Sequence, residues 1–222
     1  MSDLFRFRPL KGHWYTYTIL GVTMNESELF RQAGLPPNWV DEFVVESNKI
    51  DPQPGPDGPG TAIFDGHREA VVYAIRMASE DRYALPNAVH RLLLRDHPAA
   101  EKLRSRDVKI GLNYVLPATL VPHFLWKWNK AVKVVIDSLR TADRSIDHEV
   151  KIPEVWDLHY ELASIHPYEL YNGKVGRVLM VNHALLVDVD PWIIPCDSGR
   201  EAYLDMIRNH ASASWGINPP EY

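Results

Sequence analysis

One segment in the second half of the chain combines a histidine, a tight turn and two cationic side chains, which points to chemistry on a phosphate group. Asn172 and Gly173 signal a turn into a new helix, and the N–H groups at a helix start favour an anion. Lys174 and Arg177 share one face of that start, where two cations oppose the helix dipole unless an anion neutralises them. His166 has the side chain best suited to accept a proton near neutral pH. The segment therefore predicts a phosphate site with a general base beside it.

The segment resembles the signature of the Fic family, which reads His-Pro-Phe-x-(Asp/Glu)-Gly-Asn-Gly-Arg-x-x-Arg. The identical positions are His166, Pro167, Asn172, Gly173 and Arg177. Tyr168 stands for Phe and Lys174 for Arg, and both changes are conservative. The resemblance implies a mainly α Fic fold, a helical bundle with a β-hairpin flap and an N-terminal arm.

The resemblance also implies an enzyme, a protein nucleotidyltransferase that carries out AMPylation. AMP would pass from ATP to a serine, threonine or tyrosine hydroxyl of a target protein, and pyrophosphate would leave. His166 would be the catalytic base that takes the hydroxyl proton, and Arg177 would bind the γ-phosphate. The residues expected to bind the nucleotide are Asn172, Gly173, Lys174, Val175, Gly176 and Arg177. Such catalysis depends on positioning and electrostatic stabilisation.

The order of further segments along the chain follows the same family. Residues 106–122 look like its flap, a hairpin that clamps the target peptide over the nucleotide. The expected target-binding residues of the flap are Val108, Lys109, Ile110 and Gly111. Residues 87–93 resemble the helix before the flap, and residues 176–180 and 192–195 fit the usual continuation. The resemblance therefore covers about residues 38–213.

Two replacements within the signature affect the metal site that the family uses. Leu170 holds the position of the acidic residue that binds Mg²⁺, and Tyr171 holds that of the next glycine. A leucine has no oxygen with which to ligate a hard cation, and the neighbouring Glu169 is one residue out of register. His159 and His183 form no recognised ligand spacing and are predicted to be structural. We assign no metal ligand; the expected cofactor is ATP, and Leu170 argues against the Mg²⁺ that the resemblance implies.

A segment before the signature resembles the inhibitory helix that restrains many Fic proteins through the motif (Ser/Thr)-x-x-x-Glu-(Gly/Asn). In residues 43–52, Ser47 begins this motif, and Asp51 and Pro52 take its last two positions. The resemblance implies a regulatory role for Ser47 and Asp51, with the acid pairing to the last arginine of the signature. Residues 61–66 are a second candidate. A serine and an aspartate near a helix end also serve as caps, so both interpretations stay open.

The hydrophobic pattern predicts the elements that must position these residues. Helices are predicted over residues 38–50, 62–78, 85–94, 119–139, 153–165, 174–186 and 198–210. A strand is predicted over residues 13–20 and a short strand or hairpin over residues 108–115. Residues 51–60 hold four prolines and three glycines, which excludes a regular element.

Three units follow from this pattern together with the resemblance. Residues 1–37 are expected to form an extended N-terminal arm. Residues 38–60 are expected to contain the inhibitory helix and a Pro/Gly-rich loop. Residues 61–222 are expected to form the Fic domain.

The composition of the chain limits the classes of partner that it can bind and the cellular compartment that it fits. The 222 residues are 45% hydrophobic and 24% charged, enough for one core. A net charge of -5 argues against a nucleic-acid binder. The single Cys196 excludes an internal disulfide and fits a reducing, cytoplasmic location. No run approaches the roughly 20 apolar residues of a membrane span. The expected partners are ATP and a protein substrate, with a homodimer left open and no nucleic acid or membrane.

Two other functions stay open. A Doc-like phosphotransferase would transfer the γ-phosphate, although Gly176 and Arg177, which that branch lacks, favour nucleotide transfer. A Fic domain without catalytic activity would serve as a binding module. Leu170 supports this last interpretation, and the intact His166 and Arg177 oppose it.

Overall fold

The computed structural model describes residues 16–19, 22–52, 57–110, 113–141 and 148–214. The helices in these ranges are α1 Glu26–Gln32, α2 Trp39–Ile50, α3 Ala62–Ser79, α4 Pro86–Leu94, α5 Val121–Thr141, α6 His148–Ile165, α7 Asn172–Leu186 and α8 Cys196–Ser214. Two short antiparallel pairs accompany them, β1 Thr16–Ile19 with β2 Val22–Asn25 and β3 Lys109–Ile110 with β4 Asn113–Tyr114. The described chain is therefore mainly α, as predicted.

The core is built around α7, which is buried along almost all of its length. It packs against α3, α4 and α6, and it also contacts α2 and α5. Its apolar side chains point in every direction, the pattern of a helix surrounded by other helices. Burial of Val178 or Leu179 contributes roughly 1.5–3 kcal/mol each relative to exposure. The first two turns of α7, which carry Asn172, Lys174 and Arg177, are thereby held inside the protein.

Local sequence signals in α3 determine where this helix starts and how closely α4 packs against it. The Thr61 hydroxyl accepts a hydrogen bond from the Phe64 N–H (3.3 Å) and caps α3. Gly66, one turn later, lets α4 approach, since a Cβ there would lie only 2.8 Å from the carbonyl oxygen of Leu92. Thr61, part of the second inhibitory candidate, is therefore a helix cap in this structure. The close approach of α4 to α3 places α4 beside residues 166–171, the signature loop between α6 and α7.

Residues 1–37 were predicted to form an extended arm, but Glu26–Gln32 form the helix α1. The prediction of an extended conformation was therefore wrong for this segment. The Asn25 side chain accepts a hydrogen bond from the Ser27 N–H (2.9 Å) and starts the helix. Leu29 and Phe30 then bury themselves in the core. Of the predicted strand over residues 13–20, Thr16–Ile19 forms β1, and the rest lies outside the described residues.

Two later helices extend beyond their predicted limits. The helix α6 begins at His148 rather than at Pro153, because Pro153 removes only one hydrogen bond near the start of the helix. The helix α8 begins at Cys196, whose N–H donates to the carboxylate of Glu46 (2.8 Å), a cap supplied from α2. Long-range caps of this kind leave no local signal in the sequence.

The predicted hairpin corresponds to the β3–β4 pair. Lys109 pairs with Tyr114, and the Val115 N–H donates to the carbonyl of Val108 (3.4 Å). The Asp107 carboxylate accepts a hydrogen bond from the Ala118 N–H (2.7 Å) and closes the base. Gly111 lies outside the described residues. A role of this hairpin as a flap stays a prediction.

Among the described residues, no helix combines the length and the apolar character that crossing a membrane requires.

Candidate active site

His166 directly follows the last residue of α6 and turns the chain out of the helix. Its N–H donates to the carbonyl of Leu162 (3.0 Å), and its φ of 48° lies in the left-handed region. For a residue other than glycine such a conformation costs roughly 1–3 kcal/mol and persists only where the surroundings hold it. Pro167 then prevents the helix from continuing. The strained backbone at a predicted catalytic position supports a functional role for this turn.

The imidazole of His166 is half-buried and uncharged at neutral pH. Burial, and after it the positive charge of Arg104, lowers the pKa of His166 to about 4. A hydrogen bond with the main chain of Ala163 and the charge of Asp51 act in the opposite direction. A neutral imidazole keeps one nitrogen lone pair free to accept a proton. The side chain is therefore in the form that a general base needs.

Asn172 closes the turn between α6 and α7. Its side-chain oxygen accepts a hydrogen bond from the Tyr168 N–H (2.8 Å), and its amide donates to the Tyr168 carbonyl (2.7 Å). Tyr171 caps α7 with a φ of 62°, at the position where the resemblance has glycine. Glycine adopts this conformation without strain, whereas a tyrosine must be held in it. The turn is therefore closed by two reciprocal hydrogen bonds and fixed in one conformation.

The helix α4 supports the same turn through residues to which the sequence assigned no role. The buried Tyr168 ring stacks on His90 (3.8 Å between ring centroids), and its hydroxyl donates to Asn87 (2.6 Å). His90 Nδ1 accepts from the Glu101 N–H (3.0 Å), so its Nε2 carries the proton and donates to the Leu170 carbonyl (3.2 Å). The sequence signal for these contacts was Tyr168, which replaces the phenylalanine of the signature. A buried tyrosine hydroxyl needs a hydrogen-bond partner, so a polar residue beside it was to be expected.

The two cations at the start of α7 are both buried, Lys174 to 1% and Arg177 to 2% exposure. The Lys174 ammonium donates to the main-chain carbonyl of Asp51, and burial lowers its pKa to about 8. The Arg177 guanidinium donates to the Ser47 hydroxyl (2.8 Å) and carbonyl (3.0 Å), and to the Tyr203 hydroxyl (3.2 Å). The structure therefore brings together the predicted phosphate-binding cations and both predicted regulatory residues.

Asp51 lies at the N-terminus of α7. A Cβ on Gly173 would be 3.0 Å from a terminal nitrogen of Arg177 and 3.6 Å from a carboxylate oxygen of Asp51, so these groups meet over this glycine. The charge of Asp51 also acts on Lys174 and His166. A helix N-terminus favours an anion. In this conformation the anion there is a carboxylate of the chain itself.

A second chain of polar contacts holds Arg177 from the side of α6 and α8. The Tyr203 hydroxyl, which accepts from Arg177, lies 3.0 Å from His159 Nε2. Gly176 leaves room for this imidazole, because a Cβ there would be 2.9 Å from it. Burial, together with the charge of Arg177, lowers the pKa of His159 to about 3. His159 is therefore neutral, in line with its predicted structural role, and Tyr203 is a contact that the sequence did not indicate.

The signature loop does not fit a magnesium ion. The position of the usual carboxylate is held by Leu170, and Glu169 lies 3.8 Å from Arg106 with 38% of its side chain exposed. A hard cation requires oxygen ligands arranged around one point. Within the described part of the chain, no group of three or more His, Cys, Asp or Glu side chains is placed to hold a metal ion.

The predicted flap residues stand apart from these contacts. Val108 and Lys109 belong to the hairpin, and its base approaches the loop through Arg106, opposite Glu169, and through the buried Arg104. Arg104 donates to the main-chain carbonyl of His166 (2.7 Å). No sequence pattern indicated this arginine, because its partners are main-chain carbonyls, most of them distant along the chain.

Comparison with known proteins bears on the fold. The chain is similar to a Fic domain-containing signalling protein from Bacteroides thetaiotaomicron, with a TM-score of 0.60 and 17% sequence identity. The similarity covers 82% of this chain and 74% of that chain. No protein-family model and no curated protein sequence matches the chain. The described chain has a Fic fold, as the signature predicted.

Proposed function

We propose that the chain is a protein adenylyltransferase, which moves AMP from ATP to a serine, threonine or tyrosine hydroxyl of another protein. The observation that carries the proposal is the convergence of His166, neutral at the end of α6, with two buried cations at the start of α7. A proton acceptor beside an anion site is what nucleotidyl transfer to a hydroxyl needs. The Fic fold supports the proposal, because the solved structure that the chain resembles is that of a Fic domain-containing signalling protein.

The residues would act as follows. His166 removes the proton from the target hydroxyl while the hydroxyl oxygen forms a bond to the α-phosphorus. The bond from the α-phosphorus to the bridging oxygen of the β-phosphate breaks, pyrophosphate leaves and the proton stays on the imidazole. The N–H groups at the start of α7 and the Lys174 ammonium stabilise the negative charge of the phosphates. Arg177 binds the γ-phosphate through charge-assisted hydrogen bonds.

The conformation described here corresponds to a restrained state of that enzyme. Ser47 and Tyr203 occupy the donors of Arg177, and Asp51 lies at the anion site. Nucleotide binding therefore requires the C-terminal end of α2 to move or to yield these contacts. This supports α2 as the inhibitory helix, and it supports the regulatory role that the resemblance implies for Ser47 and Asp51.

A binding module is the second candidate function. It is favoured by one observation, the misfit of the loop to magnesium at Leu170 and Glu169. A protein without metal at this loop would retain nucleotide or peptide affinity while transferring nothing. No catalytic step is assigned to a metal here.

Labelled ATP distinguishes these functions. The parent chain and the Ser47→Ala variant, which weakens the hold on Arg177, are incubated with ATP labelled at the α- or at the γ-phosphate. Label retained on protein from α-labelled ATP alone is the expected result. Label from γ-labelled ATP alone would mean phosphotransfer, and ATP binding without any label would mean a binding module.

A further inference from the structure

Arg104 lies in the segment before the hairpin and is 3% exposed. Its guanidinium donates to the main-chain carbonyls of His166 (2.7 Å) and Ile165 (3.3 Å). Its own N–H donates to the carbonyl of Pro167 (2.9 Å), and the adjacent Leu103 forms an antiparallel bridge with Tyr168. The arginine therefore satisfies carbonyls at the C-terminal end of α6, where a helix leaves them without partners and favours a cation.

The same guanidinium reaches both ends of the hairpin. It donates to the carbonyl of Arg106 (2.8 Å), just before β3, and to the carbonyl of Leu116, just after β4. These two carbonyls and that of His166 are far apart along the chain, yet one planar group binds all of them. The geometry uses the fork of donors that arginine has and lysine lacks.

Placing a full charge among neutral carbonyls is expensive. Burial lowers the pKa of Arg104, with Asp107 acting the other way. A buried charged group is tolerated only when its hydrogen bonds are satisfied, and truncating it would leave several buried carbonyls without a donor. The guanidinium therefore does more than fill space, because it supplies the donors that these buried carbonyls need.

We propose that Arg104 is a positioning residue that ties both ends of the hairpin to the backbone of His166. The general base and the hairpin then move as one unit, so a peptide bound on the hairpin meets the imidazole in a fixed register. The inference rests on the proposed function of His166 as the base. Small displacements of a reacting group cost large factors in rate, of the order of 10²-fold for about 1 Å.

Arg104 also acts on His166 through its charge. The charged groups that act on the imidazole are Arg104, from the segment before the hairpin, and Asp51, from the end of α2. Removing the arginine charge favours the protonated imidazole, so the pKa of His166 rises from about 4 toward its usual value of 6.5. The protonation state of His166 therefore reports on this contact even without any transfer reaction.

The experiment uses the full chain with Arg104→Lys, which keeps the charge and loses the fork, and Arg104→Met, which loses both. Lys102→Met, an exposed charge in the same segment, is the matched control. We expect both Arg104 variants to lower kcat for transfer about 10²-fold, with the KM for ATP changed less than about threefold. In Arg104→Met the acid limb of the rate profile also moves to higher pH, whereas Lys102→Met behaves as the parent.

A second readout separates this inference from the proposed function. Histidine side-chain resonances are followed by NMR against pH, with the His166 signal assigned by its loss in His166→Ala. A higher pKa in Arg104→Met, and a displaced His166 signal in Arg104→Lys, support the contact whether or not the parent transfers nucleotide. A His166 signal and kcat equal to those of the parent in both variants would overturn it. If Arg104→Met does not fold, Arg104→Lys decides alone, by the position of the His166 signal and by kcat.

Discussion

At the scale of single residues, the site is defined by side chains whose burial and charge differ from what their types usually show. His166 is held in a left-handed conformation with its pKa lowered to about 4. Lys174 and Arg177 are almost wholly buried and bind neutral oxygens. Each of these states is costly in isolation. Together they support the proposal that this site binds an anion and accepts a proton.

Leu170 gives a test of the metal at this scale. Leu170→Asp places a carboxylate where the resemblance has one, so Mg²⁺ in the presence of ATP should bind more tightly and self-labelling should be faster. Leu170→Asn, similar in size but uncharged, is the control and should gain less. Glu169→Gln should have no effect on metal binding, because Glu169 faces Arg106. Calorimetric titration with Mg²⁺ and ATP measures these differences; a strong loss in Glu169→Gln would mean that Glu169 serves the metal.

The sequence predicted the residues of the signature because their spacing is local. His166 and Asn172 are six residues apart, and one turn suffices to relate them. The contacts that hold them come from elsewhere: Asn87 and His90 from α4, and Tyr203 from α8. Their hydrogen bonds depend on tertiary packing, which no single-sequence pattern encodes. Only the hydroxyl of Tyr168 hinted that such a partner exists.

At the scale of elements, α2 and α8 cap each other. The Glu46 carboxylate of α2 accepts from the Cys196 N–H at the start of α8 (2.8 Å), and Arg200 of α8 donates to the Ile50 carbonyl at the end of α2 (3.1 Å). Each helix then presents one hydroxyl to Arg177, Ser47 from α2 and Tyr203 from α8. Arg177 is thus held by hydrogen bonds to two helices that stabilise each other.

Ser47→Ala tests the grip of α2. The substitution removes one hydrogen bond to a charged group, worth about 1.5–3 kcal/mol, while the Ser47 carbonyl contact remains. If this contact competes with ATP, nucleotide affinity should rise by about ten- to a hundredfold, as measured by calorimetry. Ser79→Ala, an exposed hydroxyl bonded within its own helix end, is the control and should leave affinity unchanged. A lower affinity in Ser47→Ala would mean that Ser47 helps to bind the nucleotide.

Hydrophobic spacing predicted the longer helices, because a periodic apolar face persists over several turns. It missed α1, whose seven residues include only Leu29 and Phe30 as buried side chains. It also placed the start of α6 at Pro153, where a proline usually marks a first turn. Packing of Leu29 and Phe30 against the core stabilises α1, whereas the exposed start of α6 tolerates Pro153 because only one hydrogen bond is lost there. Boundaries are therefore the part of the fold that local patterns describe least well.

At the scale of the whole molecule, the described core contains several buried histidines. His67, His159 and His183 are all buried, and burial is the main cause of their lowered pKa values, about 3 for His159 and about 4 for His183. Buried imidazoles of this kind are neutral in the native protein. They make the stability of the whole fold depend on pH.

The native protein should lose stability as the pH falls below about 6.5. In the unfolded chain His159 and His183 take up protons near that pH, whereas in the native protein His183 stays neutral to about 4 and His159 to about 3. Each therefore lowers the free energy of unfolding by about 1.4 kcal/mol per pH unit in that interval. Urea unfolding at pH 7.5 and 5.5 measures the loss of stability. The His183→Gln variant should lose less free energy of unfolding between these two pH values than the parent. Equal midpoints at the two pH values would contradict the prediction.

The central claim is that His166 acts as the base in nucleotidyl transfer, and one substitution tests it most directly. His166→Ala, introduced into the chain that carries Ser47→Ala, is compared with Ser47→Ala alone by the rate at which α-labelled AMP becomes attached to protein. We predict a rate lower by ~10²–10⁴-fold, the usual loss when a general base is removed, with a urea midpoint close to that of the parent. Equal rates in the two chains, with the same fold, would contradict the claim.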